Sequence, residues 1–232
     1  MLVQATYAAI RQAVSPAMRA ILWKSLALTI GLLVVVWAAL TRIVAWLIQD
    51  NAWSEGYPFI DPLAAFLAGA GLFFGLVYFL PAVTAVVAGF FLDDAAEIVE
   101  RTDFPADPPG RGAPIGTSIW QGTRFAGLAL LVNLGALAFF FVPVVNVAVF
   151  FLANSYLFGR EYFELAATRH GSPETAADLR QRHSTAAWGA GGIVAALMLI
   201  PFVNLLTPLF AIALMVHVQK RVAAKSMRAR TV

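Results

Sequence analysis

The chain has 232 residues, 60% of them hydrophobic and 12% charged, with a formal net charge of +3. Soluble domains carry roughly 25% charged residues, so this composition excludes an ordinary cytosolic globule. Cysteine is absent, which removes disulfides and thiolate chemistry, and the basic residues sit at the ends of apolar segments rather than on one stripe, as orientation signals do and nucleic-acid surfaces do not.

Residues 1–14 alternate polar and apolar positions around Arg11 and predict an amphipathic segment; no small-residue site follows a compact apolar core, so no cleaved signal peptide is expected. Ser15-Pro16 is an N-cap followed by proline at the first helical position, and Arg19 lies on the first turn that follows. Free backbone N–H groups, a positive dipole end and a guanidinium would converge there, which suits a tetrahedral oxyanion or a lipid phosphate. Ser25 to Thr41 is 17 residues without charge and Pro62 to Leu92 is 31, each long enough to span a bilayer. With the first span extended past a snorkelling Arg42 to Ile48, the loop from Gln49 to Asp61 carries Asp50 and Glu55 but no Lys or Arg, so it is expected outside the cytoplasm, with Trp53, Tyr57 and Phe59 as interface anchors. Pro81 predicts a kink in the second span, and Gly71 and Gly75 form a small-xxx-small pair.

Asp93-Asp94-Ala95-Ala96-Glu97 continues that helix past the apolar run. It is similar to the aspartate-rich motifs with which membrane prenyltransferases hold magnesium diphosphate, but a second acidic cluster of matching spacing is lacking. Glu97 and Arg101, four apart with the acid first, suit a helical ion pair. His170, His183 and His217 show no ligand spacing, so neither a metal nor any other cofactor is expected. Asp103 to Pro114, rich in proline and charge, predicts a loop.

Two uncharged stretches then break in the same way, at Phe141-Val142-Pro143-Val144-Val145-Asn146 and at Leu199-Ile200-Pro201-Phe202-Val203-Asn204. Arg124 and Arg160 bracket the first, 35 residues; His183 and Lys220 bracket the second, 36. The arm from Phe125 to Val142 would reach about 27 Å and that from Val147 to Gly159 about 20 Å, short against a hydrocarbon core of about 30 Å. Basic residues flank both stretches on the same side, so each predicts a helical hairpin that enters and leaves the membrane from one face. Asn146 would cap the returning arm of the first hairpin, and Thr207-Pro208 would open that of the second, leaving two positive helix ends inside the membrane, as in transporter anion sites. Equally, Asn and Thr would serve only to satisfy backbone groups at a buried turn. Ser172-Pro173 predicts a helix start, and Gly189-Ala190-Gly191-Gly192 a helix-packing surface.

The expected fold is therefore an all-α membrane protein, one integral domain over 1–232: amphipathic segment 1–14, long transmembrane helices 16–48 and 60–101, hairpins 115–169 and 173–222 joined by a cytoplasmic helix, and a basic tail at 223–232. From Val142 to Lys220 the chain resembles the CysZ sulfate permease family. The resemblance is carried by the Pro-x-x-Asn-like break, Arg160-Glu161-Tyr162, His170-Gly171, Leu179-Arg180-Gln181-Arg182, Gly189, Ile200-Pro201-Phe202-Val203-Asn204-Leu205 and the basic C-terminus. Ser15-Pro16-Ala17-Met18-Arg19-Ala20 is similar to the family's Pro-Gly-x-Arg-Arg, which is associated with sulfate binding; Ala17 replaces the glycine and Ala20 the second arginine.

The resemblance implies a homo-oligomer in the bacterial inner membrane, with both termini cytoplasmic, that conducts sulfate inward for cysteine synthesis without ATP. Ala17, Met18 and Arg19 would bind the anion, Asn146, Asn204 and Thr207 would stand at the hairpin tips, and Glu97 with Arg101 would gate or brace the inner mouth. The alternatives are a non-transporting scaffold or assembly factor of the same fold and a magnesium-dependent lipid enzyme.

Overall fold

The computed structural model describes residues 1–49, 66, 69–75, 91–112, 114–139, 142–200 and 203–230. The expected outer loop, its aromatic anchors and Pro81 lie outside them. Every regular element among the described residues is helical, as the sequence predicts. In chain order these are α1 (Leu2–Ala13), α2 (Pro16–Gln49), helical residues at 69–75, α3 (91–103), α4 (Ile115–Leu137), α5 (Pro143–Thr168), α6 (Pro173–Arg182), α7 (Ser184–Met198), a 3-10 turn (Val203–Leu206) and α8 (Thr207–Arg230). They form two compact units, Met1–Leu22 with Leu92–Val232, and Trp23–Phe91.

The core of the first unit is α8. Its residues from Leu209 to Gln219 are all buried, with α1, α5 and α7 packed around them. A helix apolar on all sides is stable only when it is enclosed. That is why Val203–Arg228, long and apolar enough to cross a membrane, is here mostly buried in protein. α5 and α7 approach closely because neither has a side chain at the crossing. A Cβ on Gly191 would overlap the Ser155 carbonyl oxygen and come 2.5 Å from the Gly159 amide nitrogen, and one on Gly159 would stand 2.5 Å from the Ala187 carbonyl oxygen. The expected packing role of the glycine run thus rests on Gly191, whereas a Cβ on Gly192 would meet only the Ser155 side chain, at 3.6 Å.

Helix ends follow the local chemistry in part. Ser172 Oγ accepts from the Thr175 amide at 3.3 Å with Pro173 at the first helical position, as the sequence predicts. At the two breaks the caps differ from expectation. α5 starts at Pro143, with Val142 in the cap position and the Asn146 amide already donating to the Val142 carbonyl at 2.8 Å, so Asn146 lies inside the first turn and does not cap it. Proline takes the first helical position because it has no N–H to lose. α8 begins at Thr207 directly after the 3-10 turn, and the Thr207 hydroxyl bonds no amide. Helix also continues to Arg230, through most of the segment expected as a tail.

In the second unit α2 carries Trp23, Leu28, Ile30, Val34, Val35, Trp37, Ile43 and Trp46 exposed, and its Pro16–Ile43 stretch is long and apolar enough to span a bilayer. So much exposed apolar surface is stable against lipid and not against water. Gly75 meets α2 within this unit, where a Cβ would touch Leu40 Cδ1 at 3.1 Å; one on Gly71 would meet nothing among the described residues.

Candidate functional site

The turn between α1 and α2 is built by Ser15. Its Oγ accepts from the Met18 amide at 3.3 Å and its carbonyl from the Arg19 amide at 3.0 Å. Pro16 has no N–H, so the Ala17 amide and the Arg19 side chain are the donors this turn leaves for a ligand. The buried Met18 side chain anchors the turn, while Ala17 and Arg19 are exposed. Among the described residues no carboxylate pairs with Arg19. The site is thus a single open guanidinium beside one amide, a weaker oxyanion cradle than two arginines would make.

At the hairpin breaks, Thr207 is 3% exposed and its hydroxyl has no partner among the described residues, and Asn146 Oδ1 is likewise buried without one among them. Both lie in the first turn of their helices, where N–H groups lack intrahelical acceptors. Asn204 is exposed within the 3-10 turn. Glu97 and Arg101 form the expected ion pair on an exposed face of α3, and such a pair contributes only about 0.3 to 0.5 kcal/mol.

A denser array of charge, on residues the sequence reading did not single out as a site, lies where α3 meets the end of α5. The Arg169 side chain is 3% exposed and that of Glu100 4%. Arg169 Nε donates to Glu100 Oε1 at 3.0 Å and Nη2 to Oε2 at 3.1 Å, the two-bond geometry that suits a desolvated pair. Nη1 donates to the Asp93 carboxylate and, at 3.2 Å, to the Asp93 carbonyl. The proline-rich loop is sewn to this pair: the Gly110 amide donates to Glu100 Oε2 at 3.1 Å, its carbonyl accepts from Arg169 Nη2 at 3.4 Å, and the Arg111 amide donates to the Arg169 carbonyl at 2.8 Å. His170 Nε2 stands 2.9 Å from Glu100 Oε1. Only glycine fits at 110, since a Cβ would lie 2.8 Å from Arg169 Cβ and 2.9 Å from both carboxylate oxygens.

Asp93 is therefore engaged by a guanidinium. No group of three or more metal-ligating side chains occurs among the described residues. The same loop is held a second time from α8 and α1. Asp103 takes Arg11 at 3.2 Å, and Asp107 takes Lys220 at 2.9 Å. His217 Nε2 lies 3.1 Å from Asp103 Oδ2, near enough for charge attraction but not aligned as a hydrogen bond, and its ring packs on Phe104. Arg180 and Arg160 share Glu164 at 2.8 and 3.5 Å. The neighbouring Glu161, beyond the uncharged arm that ends at Gly159, finds no such cation among the described residues, and burial pushes its carboxyl up to about 7. The sequence signal for this array was the combination of charges just outside apolar arms with glycines inside a proline loop.

A comparison with curated proteins finds no match. The family model described as sulfate transporter CysZ/etoposide-induced protein 2.4 matches residues 5–208. That match covers α1 through the start of α8, including the Ser15 turn, both breaks and the Arg169 array, and the chain belongs to this family.

Proposed function

We propose that the protein is an ATP-independent permease or channel for sulfate or a related oxyanion. The observation that carries this reading is the Ser15 turn, an exposed Arg19 without a described carboxylate partner beside a helix start, in a chain of a sulfate-transporter family. Of the expected residues Ala17, Met18 and Arg19, the Ala17 amide and the Arg19 guanidinium receive the anion, while Met18 anchors the turn through its buried side chain and its amide hydrogen bond to Ser15. Asn146 and Thr207, whose unpartnered polar atoms stand in the first turns of α5 and α8, offer groups along its path, with Asn204 beside them. Glu97 and Arg101 brace the inner mouth. The two hairpins penetrate the membrane from the cytoplasmic side, both termini are cytoplasmic, and copies assemble as a homo-oligomer in a bacterial inner membrane, feeding sulfate assimilation toward cysteine.

One observation favours a second reading, a non-transporting scaffold of the same fold: Ala20 stands where the family's second arginine is expected, and the Met18 amide is already taken by Ser15. Uptake of radiolabelled sulfate into proteoliposomes separates the two. The permease gives ATP-independent uptake that competing oxyanions reduce; uptake no faster than in empty liposomes supports the scaffold.

A further inference from the structure

The first helix divides its surface into three sectors. Ala5, Ala9, Gln12 and Ala13 are buried, with α1 packed on α8. Gln4 and Arg11 are exposed and polar. Val3, Tyr7, Ile10 and Val14, spaced four, three and four apart, form an exposed apolar ridge, Val3 being 82% exposed. Such a division marks a helix lying in a membrane interface, with its apolar ridge toward the acyl chains.

Beside that ridge a groove of about 400 Å3 opens between α1 and α7, lined by Leu2, Val3, Thr6, Tyr7, Ile10 and Ile193. It exists because the helices diverge from a close approach, where a Cβ on Gly189 of α7 would sit 3.0 Å from Leu2 Cδ1. Two observations select the occupant. Ile193 belongs to the uncharged stretch expected to enter the membrane, which continues along α7 to the exposed Met198, Leu199 and Ile200. At the start of α1, beside Leu2 and Val3, stands a cation: Arg221 Nη1 donates to the Met1 carbonyl and Gln4 Oε1, both at 3.0 Å and both neutral, so its charge is not cancelled there. An apolar slot with a basic rim fits a phospholipid, its chain in the slot and its phosphate at the rim.

We propose that the α1–α7 groove holds an acyl chain of a bilayer phospholipid, with anionic headgroups favoured by Arg221. The site is separate from the Ser15 turn and rests on the membrane reading above only for the presence of lipid. Because the chain has no cysteine, single cysteines at Val3, Tyr7, Gln4 and Val34 can each carry a nitroxide in vesicles of phosphatidylcholine and phosphatidylglycerol. Collision with oxygen against a water-soluble nickel chelate then reports the surroundings. The proposal expects lipid-like ratios at Val3 and Tyr7, several-fold above that at Gln4, and adducts on both α1 and α7 from phosphatidylglycerol bearing a diazirine in its chain. Ile193→Trp, which fills the groove, should remove the α7 adduct while the nitroxide ratios persist. Water-like ratios at Val3 and Tyr7, with Val34 in lipid, overturn it; a water-like ratio at Val34 instead overturns the membrane reading. Low collision with both reagents, together with spin–spin broadening between copies, assigns the ridge to a second copy and also overturns it, as does diazirine labelling that Ile193→Trp leaves intact.

Discussion

Replacing Arg169 with methionine keeps much of the side-chain volume but strands Glu100, whose side chain is 4% exposed. Removing one member of a buried ion pair costs about 3 to 5 kcal/mol. The protein can escape part of that by protonating the carboxylate, and protonating a free glutamate side chain at pH 7.4 costs about 4 kcal/mol, so the loss should fall at about 3 to 4 kcal/mol. At about 2 to 4 °C per kcal/mol for a chain of this size, thermal unfolding followed by tryptophan fluorescence in detergent should drop by about 6 to 16 °C. In the variant the folded state prefers a neutral Glu100 and binds the extra proton, so lowering the pH toward 5.4 should shrink the deficit by up to about 3 kcal/mol. Pairing Arg169→Met with Glu100→Met should restore at least half of the loss, since two apolar side chains leave no buried charge, although the Gly110 amide and carbonyl each lose a partner. A single variant within about 2 °C of wild type, or a double variant as unstable as the single, would refute the view that this pair is held by mutual compensation.

At the α5–α7 crossing, Gly191→Ala should destabilise by about 1 to 3 kcal/mol because its Cβ overlaps backbone, whereas Gly192→Ala, with 3.6 Å of room, should be neutral or stabilise by up to about 1 kcal/mol; denaturation midpoints distinguish them. Glu161, raised to about 7 by burial, binds its proton more tightly folded than unfolded, so its contribution is fully present below pH 4.5 and lost as pH rises through 7; Glu161→Gln should therefore unfold later than wild type above pH 7 and show a flatter pH profile. Arg19→Ala should weaken sulfate binding about ten- to a hundredfold in a scintillation-proximity titration, as a lost charge-assisted contact does, while Arg11→Ala, whose partner is Asp103, should leave affinity near wild type. Ala20→Arg should tighten sulfate binding in the same titration, since a second guanidinium would stand one residue from the first.

The sequence made the helices and their breaks legible because those rest on local rules. Proline at 143 and 173, Ser172 at a helix start, and two long uncharged runs need no partner to be read. Capping at Asn146 failed because a cap position is decided by where the preceding backbone turns, and α5 starts earlier, at Pro143; α8 does open at Thr207, but directly after a 3-10 turn, and that residue's hydroxyl caps no amide. The members of the Arg169 array were visible only as charges beside apolar arms, and their assembly was not. Those members are 69 and 76 residues apart in sequence, and charge next to an apolar arm looks the same whether it faces headgroups or another helix. What distinguishes it is enclosure, which only the tertiary structure supplies. The contrast with Arg19 makes the point. Both arginines flank apolar helices, but one is nearly inaccessible, with two carboxylates and a loop carbonyl around it, while the other stands exposed on a first helical turn. A guanidinium whose hydrogen-bonding capacity is spent inside the fold holds a loop in place; one whose donors remain open is available to an anion that comes and goes. On the proposed reading exchange belongs at the Ser15 turn, while the bonds of Gly110 and Arg111 to Glu100 and Arg169, and of Asp107 to Lys220, hold the loop to α3, α5 and α8.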